Sequence, residues 1–382
     1  MKRPKLLALT IFLMIVSLAT VGFSLYRQSS IILPDEVRVL SDAGYGLGKS
    51  LKADLSSLVA DSTYGKVLES RNDVVQGACL DKVQLFSRES AESPRTIKRS
   101  AILLRYPEAE GTIIVSHGFM CDKFDAAFLR NLFPKKQFNV LTFDYRAHGE
   151  HKEGQQCTFG KDEVYDLIAA AQFLKSNEYT KDMPRYVYGF SMGAATSLLA
   201  QAQNPDLFNA MILDCPYDST ENIIKRSIDN LRFSVCGYDF CLPVNGLLKK
   251  YAFHPYVQLL IKTLLKSVAQ MDSTAVNTCI HPVYPSLAAK KITIPCFFIH
   301  CKNDERVPLD AVKRIYNNYE GIKKLWITNG RRHYDSYFYN PEMYTKRVQR
   351  FLALVHKNEI GKKYKKKIIE DKEDMLVPGG NQ

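Results

Sequence analysis

The sequence predicts an α/β domain with a mostly parallel central sheet flanked by helices. Three observations carry this prediction. From Ser100 onward, short apolar runs that each end in turn residues alternate with helix-length segments. Those runs are predominantly apolar, as strands buried on both faces are. The most reactive-looking residues stand just after such runs, where ligands sit in parallel α/β sheets.

Length and composition bound what precedes and follows this domain. With 382 residues, 46% of them hydrophobic, the chain can bury a substantial core and is not a disordered polymer. Its net charge of +12 gathers at the ends, at Lys2, Arg3 and Lys5 and again from Lys362 to Lys367. No nucleic-acid motif accompanies the charge, so no nucleic-acid partner is expected. The lysine-rich end reads as a solvated helix end before it reads as a contact for an anionic surface.

Residues 6–25, LLALTIFLMIVSLATVGFSL, carry no charge. They are long enough to cross about 30 Å of hydrocarbon. With basic residues ahead of it, this segment predicts a single-pass N-terminal anchor that places everything after Tyr26 on the non-cytoplasmic side. The small residues of Ser17-Leu18-Ala19 leave open export after signal cleavage. The expected organisation is an anchor or signal over 1–26, a linker and extension over 27–99, the α/β domain over 100–355, and a basic tail over 356–382.

Residues 44–50, GYGLGKS, lack phosphate-loop spacing and follow no strand, so they belong to the linker. The strand runs then follow in order: AILLRY, TIIVSHG, FNVLTFDYRAHG, RYVYGFSMG, AMILDCP, IPCFFIHCKND and KLWITNG. Between the third and fourth, Asp162 to Ser176 reads as a helix whose first-turn acids Asp162 and Glu163 favour the positive end of its dipole. From Cys215 to Lys290 no strand pattern returns. That interval carries a helical stripe of Val257, Leu260, Ile261, Leu264, Leu265 and Val268, and predicts a cap inserted at about 215–290.

Ser191 lies in GFSMG, between the strand run RYVY and the helix former run AATSLLAQAQ. A GxSxG alone is weak; in this strand-turn-helix setting it reads as a nucleophile elbow. Gly189 and Gly193 are then required, because a side chain at either place would meet the neighbouring strand or helix. Serine needs a base to take its proton, and histidine suits that task near neutrality. His333 follows the last run as candidate base, and Asp304 follows the one before it as candidate carboxylate to hold the imidazole. Asp214 and Asp218 also follow a strand and stay open as alternatives for the acid.

These motifs together resemble the α/β-hydrolase superfamily over residues 100–355, particularly its esterase, lipase and serine-aminopeptidase-like members. The matching stretches are Ser116-His117-Gly118-Phe119, Asp144 to Gly149, the elbow, Asn303 to Pro308 and Gly330 to His333, in the order serine, aspartate, histidine. The resemblance implies an α/β-hydrolase fold with Ser191, Asp304 and His333 as the catalytic residues. It also implies backbone oxyanion donors at Phe119 and Met192, with His117 shaping the loop. Ala147 and Cys301 depart from the pattern, each standing where glycine is common.

The expected activity is cleavage of carboxylic esters or thioesters of acyl or lipid-like substrates through an acyl-enzyme. A peptidase or amidase on the same fold is the alternative, and a noncatalytic binding protein a second. The cap lysines Lys249, Lys250, Lys262 and Lys266 disfavour an aminopeptidase, which needs carboxylates for a substrate ammonium. No cofactor and no metal are expected; His148, His151, Glu153 and Cys157 share one loop but nothing completes a ligand spacing. Nine cysteines show no CxxC spacing, and Cys236 with Cys241, or Cys121 with Cys157, are the pairs export would permit.

Overall fold

The computed structural model describes residues 78–357, apart from 135, 153, 230–231, 236–237, 242–244, 260–275 and 331. An eight-stranded sheet runs through it in the order β1-β2-β4-β3-β5-β6-β9-β10. The strands are β1 Cys79–Arg88, β2 Thr96–Arg105, β3 Gly111–Ser116, β4 Phe138–Phe143, β5 Arg185–Phe190, β6 Ala210–Asp214, β9 Cys296–Cys301 and β10 Lys323–Thr328. The β1/β2 and β2/β4 pairs are antiparallel, and every later pair of this sheet is parallel.

Strand periodicity divides the core between two faces. Ile114, Val187, Met211, Leu213 and Phe298 point to one face, where they pack with helices α1 Glu163–Ser176, α2 Met192–Gln203 and α5 Leu309–Asn318. Ile113, Val115, Tyr188, Ile212 and Ile299 point to the other, against α6 Pro341–His356 and the turn at Ala127–Leu132. Covering both faces is what lets β3 to β6 and β9 be buried along almost their whole length. At about 25 cal/mol per Å² of apolar surface, this double burial is the main stabilising term of the domain.

All seven strand runs read from the sequence are strands here. Two features depart from the reading. Strand β1 extends the sheet into the stretch taken as linker and extension; only Leu85 and Ser87 of its ten residues are fully buried, so its apolar signal is faint. Inside the 215–290 interval, a two-stranded hairpin of β7 Arg232–Val235 and β8 Tyr238–Cys241 joins α3 Thr220–Asp229 and α4 Asn245–Lys250. Most of the stripe expected from Val257 to Val268 lies outside the described residues.

The N-terminal expectation is corrected. Among the described residues, no helix is long and apolar enough to cross a membrane. A span needs about 20 apolar residues, whereas α6 has 16 and buries only one face, through Tyr344, Val348, Phe351, Leu352 and Val355. Residues 6–25 and the basic tail lie outside the described residues. The single-pass anchor, the export alternative and the membrane partner drawn from them therefore have no support. Cys121 and Cys157 are separate thiols, and Cys157 Sγ packs on Met192 Sδ at 3.6 Å. Cys236 lies outside the described residues.

The connections leaving β3 and β5 open the site. After β3 the chain crosses to β4 on one side, whereas β5 lies on the other. A ligand crevice forms outside the carboxyl ends of strands at such a switch point. Phe119 follows β3 there, and Ser191 follows β5.

Candidate active site

The turn from β5 into α2 is built by close approach. Ser191 has φ +52° and ψ −116°, a strained conformation for a residue with a side chain. Its backbone is pinned on both sides: Ser191 N–H donates to the Asp214 carbonyl at 2.8 Å, and Ala195 N–H donates to the Ser191 carbonyl at 3.1 Å. A Cβ on Gly189 would lie 2.8 Å from the Gly193 carbonyl oxygen, and one on Gly193 only 2.0 Å from that of Ser116. Glycine is therefore dictated at both positions by backbone against backbone.

Three strands bring the predicted residues together. His333 Nε2 lies 2.8 Å from Ser191 Oγ, and His333 Nδ1 lies 2.7 Å from Asp304 Oδ2. With the carboxylate accepting Nδ1–H, Nε2 is left as the acceptor for the serine proton. The second oxygen of Asp304 accepts the N–H groups of Arg306 at 3.0 Å and Val307 at 2.8 Å. Burial would raise the Asp304 pKa, but His333, His300 and the Val307 N–H together hold it below the usual carboxylate range.

The alternative acids are committed elsewhere. Asp214 Oδ2 accepts Tyr344 O–H at 2.8 Å, and Tyr344 in turn meets Tyr188 at 2.7 Å. Burial raises the Asp214 pKa to about 7, against the lowering effect of the tyrosine hydrogen bond. Asp218 accepts from Asn222 and Arg314, each at 2.7 Å. Neither carboxylate holds His333.

The oxyanion candidates sit on two different elements. Met192 opens α2, whose first N–H groups lie at the positive end of its dipole. Phe119 follows His117 and Gly118. His117 Nδ1 lies 2.8 Å from the Gly118 carbonyl oxygen, in the same peptide unit as Phe119 N–H. A trans peptide directs N–H opposite to C=O, so anchoring that oxygen aims the Phe119 donor the other way. Phe190 ties this loop to the residue after His333: its ring stacks on Tyr334 at 4.3 Å, and a Cβ on Gly118 would lie 2.8 Å from it.

Sequence reasoning missed several supporting residues. His300 lies inside β9, donates Nε2–H to the Val307 carbonyl at 2.9 Å and stands 3.9 Å from Asp304. Burial lowers its pKa to about 4 despite the nearby Asp304, so it is neutral at pH 7. A histidine within an apolar run gives no signal beyond core packing. Lys123 forms a buried ion pair with Asp144 at 2.8 Å and also reaches Glu150 at 3.1 Å. Arg146 and Asp166 form a second buried pair at 3.0 Å. Ala147 takes φ +60° where glycine is common, at a cost of about 1 kcal/mol. Cys301 Sγ contacts Ser336 Oγ at 3.1 Å.

Metal-ligand spacing occurs at Cys215, His300 and Asp304, whose ligand atoms all lie within 4.8 Å. Asp304 faces His333, and His300 Nε2 is bonded to Val307, so two of the three already have hydrogen-bond partners. Of the loop set considered from the sequence, His148 Nε2 accepts Met120 N–H and Cys157 packs on Met192, while Glu153 lies outside the described residues.

Comparisons with known proteins agree with this architecture. A family model described as serine aminopeptidase, S33 matches residues 107–232. The uncharacterized protein YqkD of Bacillus subtilis (strain 168) is 29% identical over 246 residues, covering 64% of this chain and 72% of that protein. Monoglyceride lipase of Rattus norvegicus is 30% identical over 123 residues, which are 30% of this chain and 39% of the lipase. A Pyrococcus furiosus esterase structure superposes with a TM-score of 0.53 at 22% identity, over 72% of this chain and 91% of that one. That last likeness is one of fold.

Proposed function

We propose that this chain, which has the α/β-hydrolase fold, is a serine hydrolase cleaving carboxylic ester or thioester bonds through an acyl-enzyme. One observation carries the reading: the line of hydrogen-bond distances from Ser191 Oγ through His333 to Asp304, 2.8 Å and 2.7 Å. In this reaction His333 Nε2 takes the Ser191 proton as Oγ attacks the carbonyl carbon. Asp304 stabilises the imidazolium that forms. The N–H groups of Met192 and Phe119 receive the oxyanion, a contribution of a few kcal/mol. His333 then protonates the departing alcohol or thiol, and water, activated by the same imidazole, releases the acid.

Acyl or lipid-like esters are the proposed substrate class. The partial likeness to a monoglyceride lipase supports it. So does the apolar character of the cap, whose described part exposes Tyr251, Tyr256 and Leu259. The test is a chain-length series of p-nitrophenyl acyl esters. Turnover that Ser191→Ala abolishes is expected, and its absence at every chain length would refute the proposal.

The family description favours one competing reading, a peptidase. Against it, the described helix α4 of the cap carries Lys249 and Lys250 and no carboxylate to hold a substrate ammonium. Aminoacyl nitroanilides set beside acyl esters separate the two, and preference for the nitroanilides would establish the peptidase.

A further inference from the structure

The loops that follow β3 and β4 are locked by a reciprocal pair of imidazoles. His117, on the first loop, accepts Tyr145 N–H from the second at Nε2, at 3.1 Å. His148, on the second loop, accepts Met120 N–H from the first at Nε2, also at 3.1 Å. Each ring turns its Nδ1 to a carbonyl of its own loop, His117 to Gly118 and His148 to Arg146, both at 2.8 Å. The rings stand edge to face at 5.3 Å, and Phe119 packs edge-on to His148 at 5.7 Å.

We propose that His148 is a positioning residue for the oxyanion donor at Phe119, acting through its hydrogen bond to Met120. The proposal rests on the serine-hydrolase reading above. Phe119 N–H belongs to the peptide whose oxygen His117 anchors; Met120 N–H belongs to the next peptide along. Holding both planes fixes φ and ψ of Phe119 itself, the only soft torsions between them. The clamp is needed because Met120 sits at φ +65°, a conformation a side-chain-bearing residue leaves readily.

Chemistry also fixes the form of the clamp. Met120 brings the hydrogen, so the accepting Nε2 must carry none and Nδ1 must carry the proton. Burial pushes the His148 pKa down and so keeps it in this neutral state, although Arg146, Asp144, Asp166 and Asp122 act in the opposite sense. A carbonyl oxygen at the Nε2 position would serve equally well. A phenyl ring would keep the packing and lose the acceptor.

The experiment compares wild type, His148→Phe, His148→Gln and Ser191→Ala on p-nitrophenyl butyrate, with amide hydrogen exchange across residues 117–122. His148→Phe is expected to lower kcat roughly 10- to 100-fold with KM little changed, short of the full loss of an oxyanion donor. Its Met120 amide should exchange faster. His148→Gln, whose side-chain oxygen reaches Met120, should restore most of both. Wild-type kcat and exchange in His148→Phe, or equal losses in the Phe and Gln variants, would overturn the proposal. If His148→Phe does not fold, His148→Asn, too short to reach Met120, takes its place with the same expectations. Turnover unchanged in Ser191→Ala would instead defeat the serine-hydrolase reading, and the exchange data would still decide whether His148 holds the loop.

Discussion

Gly193 packs against Ser116 so closely that a Cβ at Gly193 would stand 2.0 Å from the Ser116 carbonyl oxygen and 2.6 Å from that of His117. The elbow that carries Ser191 is thus pressed onto the start of the loop that carries Phe119. The two loops share one rigid contact, made of backbone on backbone, with no side chain able to yield.

Gly193→Ala is therefore expected to cost on the order of 3 kcal/mol, at the upper end for overpacking, because neither partner can move cheaply. Denaturant unfolding measures this. A midpoint equal to wild type would mean that the two loops are not in hard contact.

Asp304→Asn should lower kcat by roughly 10⁴-fold, the scale known for an amide replacing the acid of a Ser-His-Asp site. Asp214→Asn should change kcat little, because its carbonyl oxygen can still accept Tyr344 O–H. Steady-state kinetics of the two variants decide between the acids. The reverse ranking would assign the role to Asp214.

The two acids show where sequence reading stops. Both follow an apolar run, and local pattern cannot tell them apart. What separates them is Tyr344, 130 residues further on in α6, which occupies Asp214 Oδ2. Ser191, Asp304 and His333 were legible as candidates because each follows a run that reads as a strand. Strand β1 was not, since its sheet pairing relies on the backbone and its inward side ends in Ser87, which donates to Asp166 at 2.6 Å. His300 and His148 were not, since their roles lie in which backbone group each ring meets.

Stability should fall as the pH is lowered from about 6.5 to about 5, taking the ordinary histidine pKa near 6.5 as the unfolded value. Burial lowers the pKa of His117 to about 3 and of His300 to about 4, and also lowers that of His148. Over this window the unfolded chain takes up protons that the folded one refuses, so acid favours unfolding. Asp214, raised to about 7, works in the opposite direction, since its folded form holds a proton that the unfolded form releases. His117 and His300 against one carboxyl leave about one proton of net uptake on unfolding near pH 5, to which His148 adds in the same direction, and each proton contributes about 1.4 kcal/mol per pH unit. Denaturant melts at pH 7 and pH 5 test this, and equal or greater stability at pH 5 would contradict it.

Lys123→Ala should destabilise by about 3–5 kcal/mol, because it strands the buried carboxylate of Asp144. The loss should shrink when Asp144→Asn is added. A double-mutant cycle measures the coupling, and strict additivity of the two losses would show that the pair is not coupled.

The central claim is that Ser191 is the nucleophile activated by His333. Labelling of the folded protein with a fluorophosphonate probe, followed by peptide mass analysis, tests it most directly. The account predicts one adduct, on Ser191, lost in Ser191→Ala and strongly slowed in His333→Ala. A folded protein that takes up no label, or a Ser191→Ala variant that labels as fast as wild type, would contradict it.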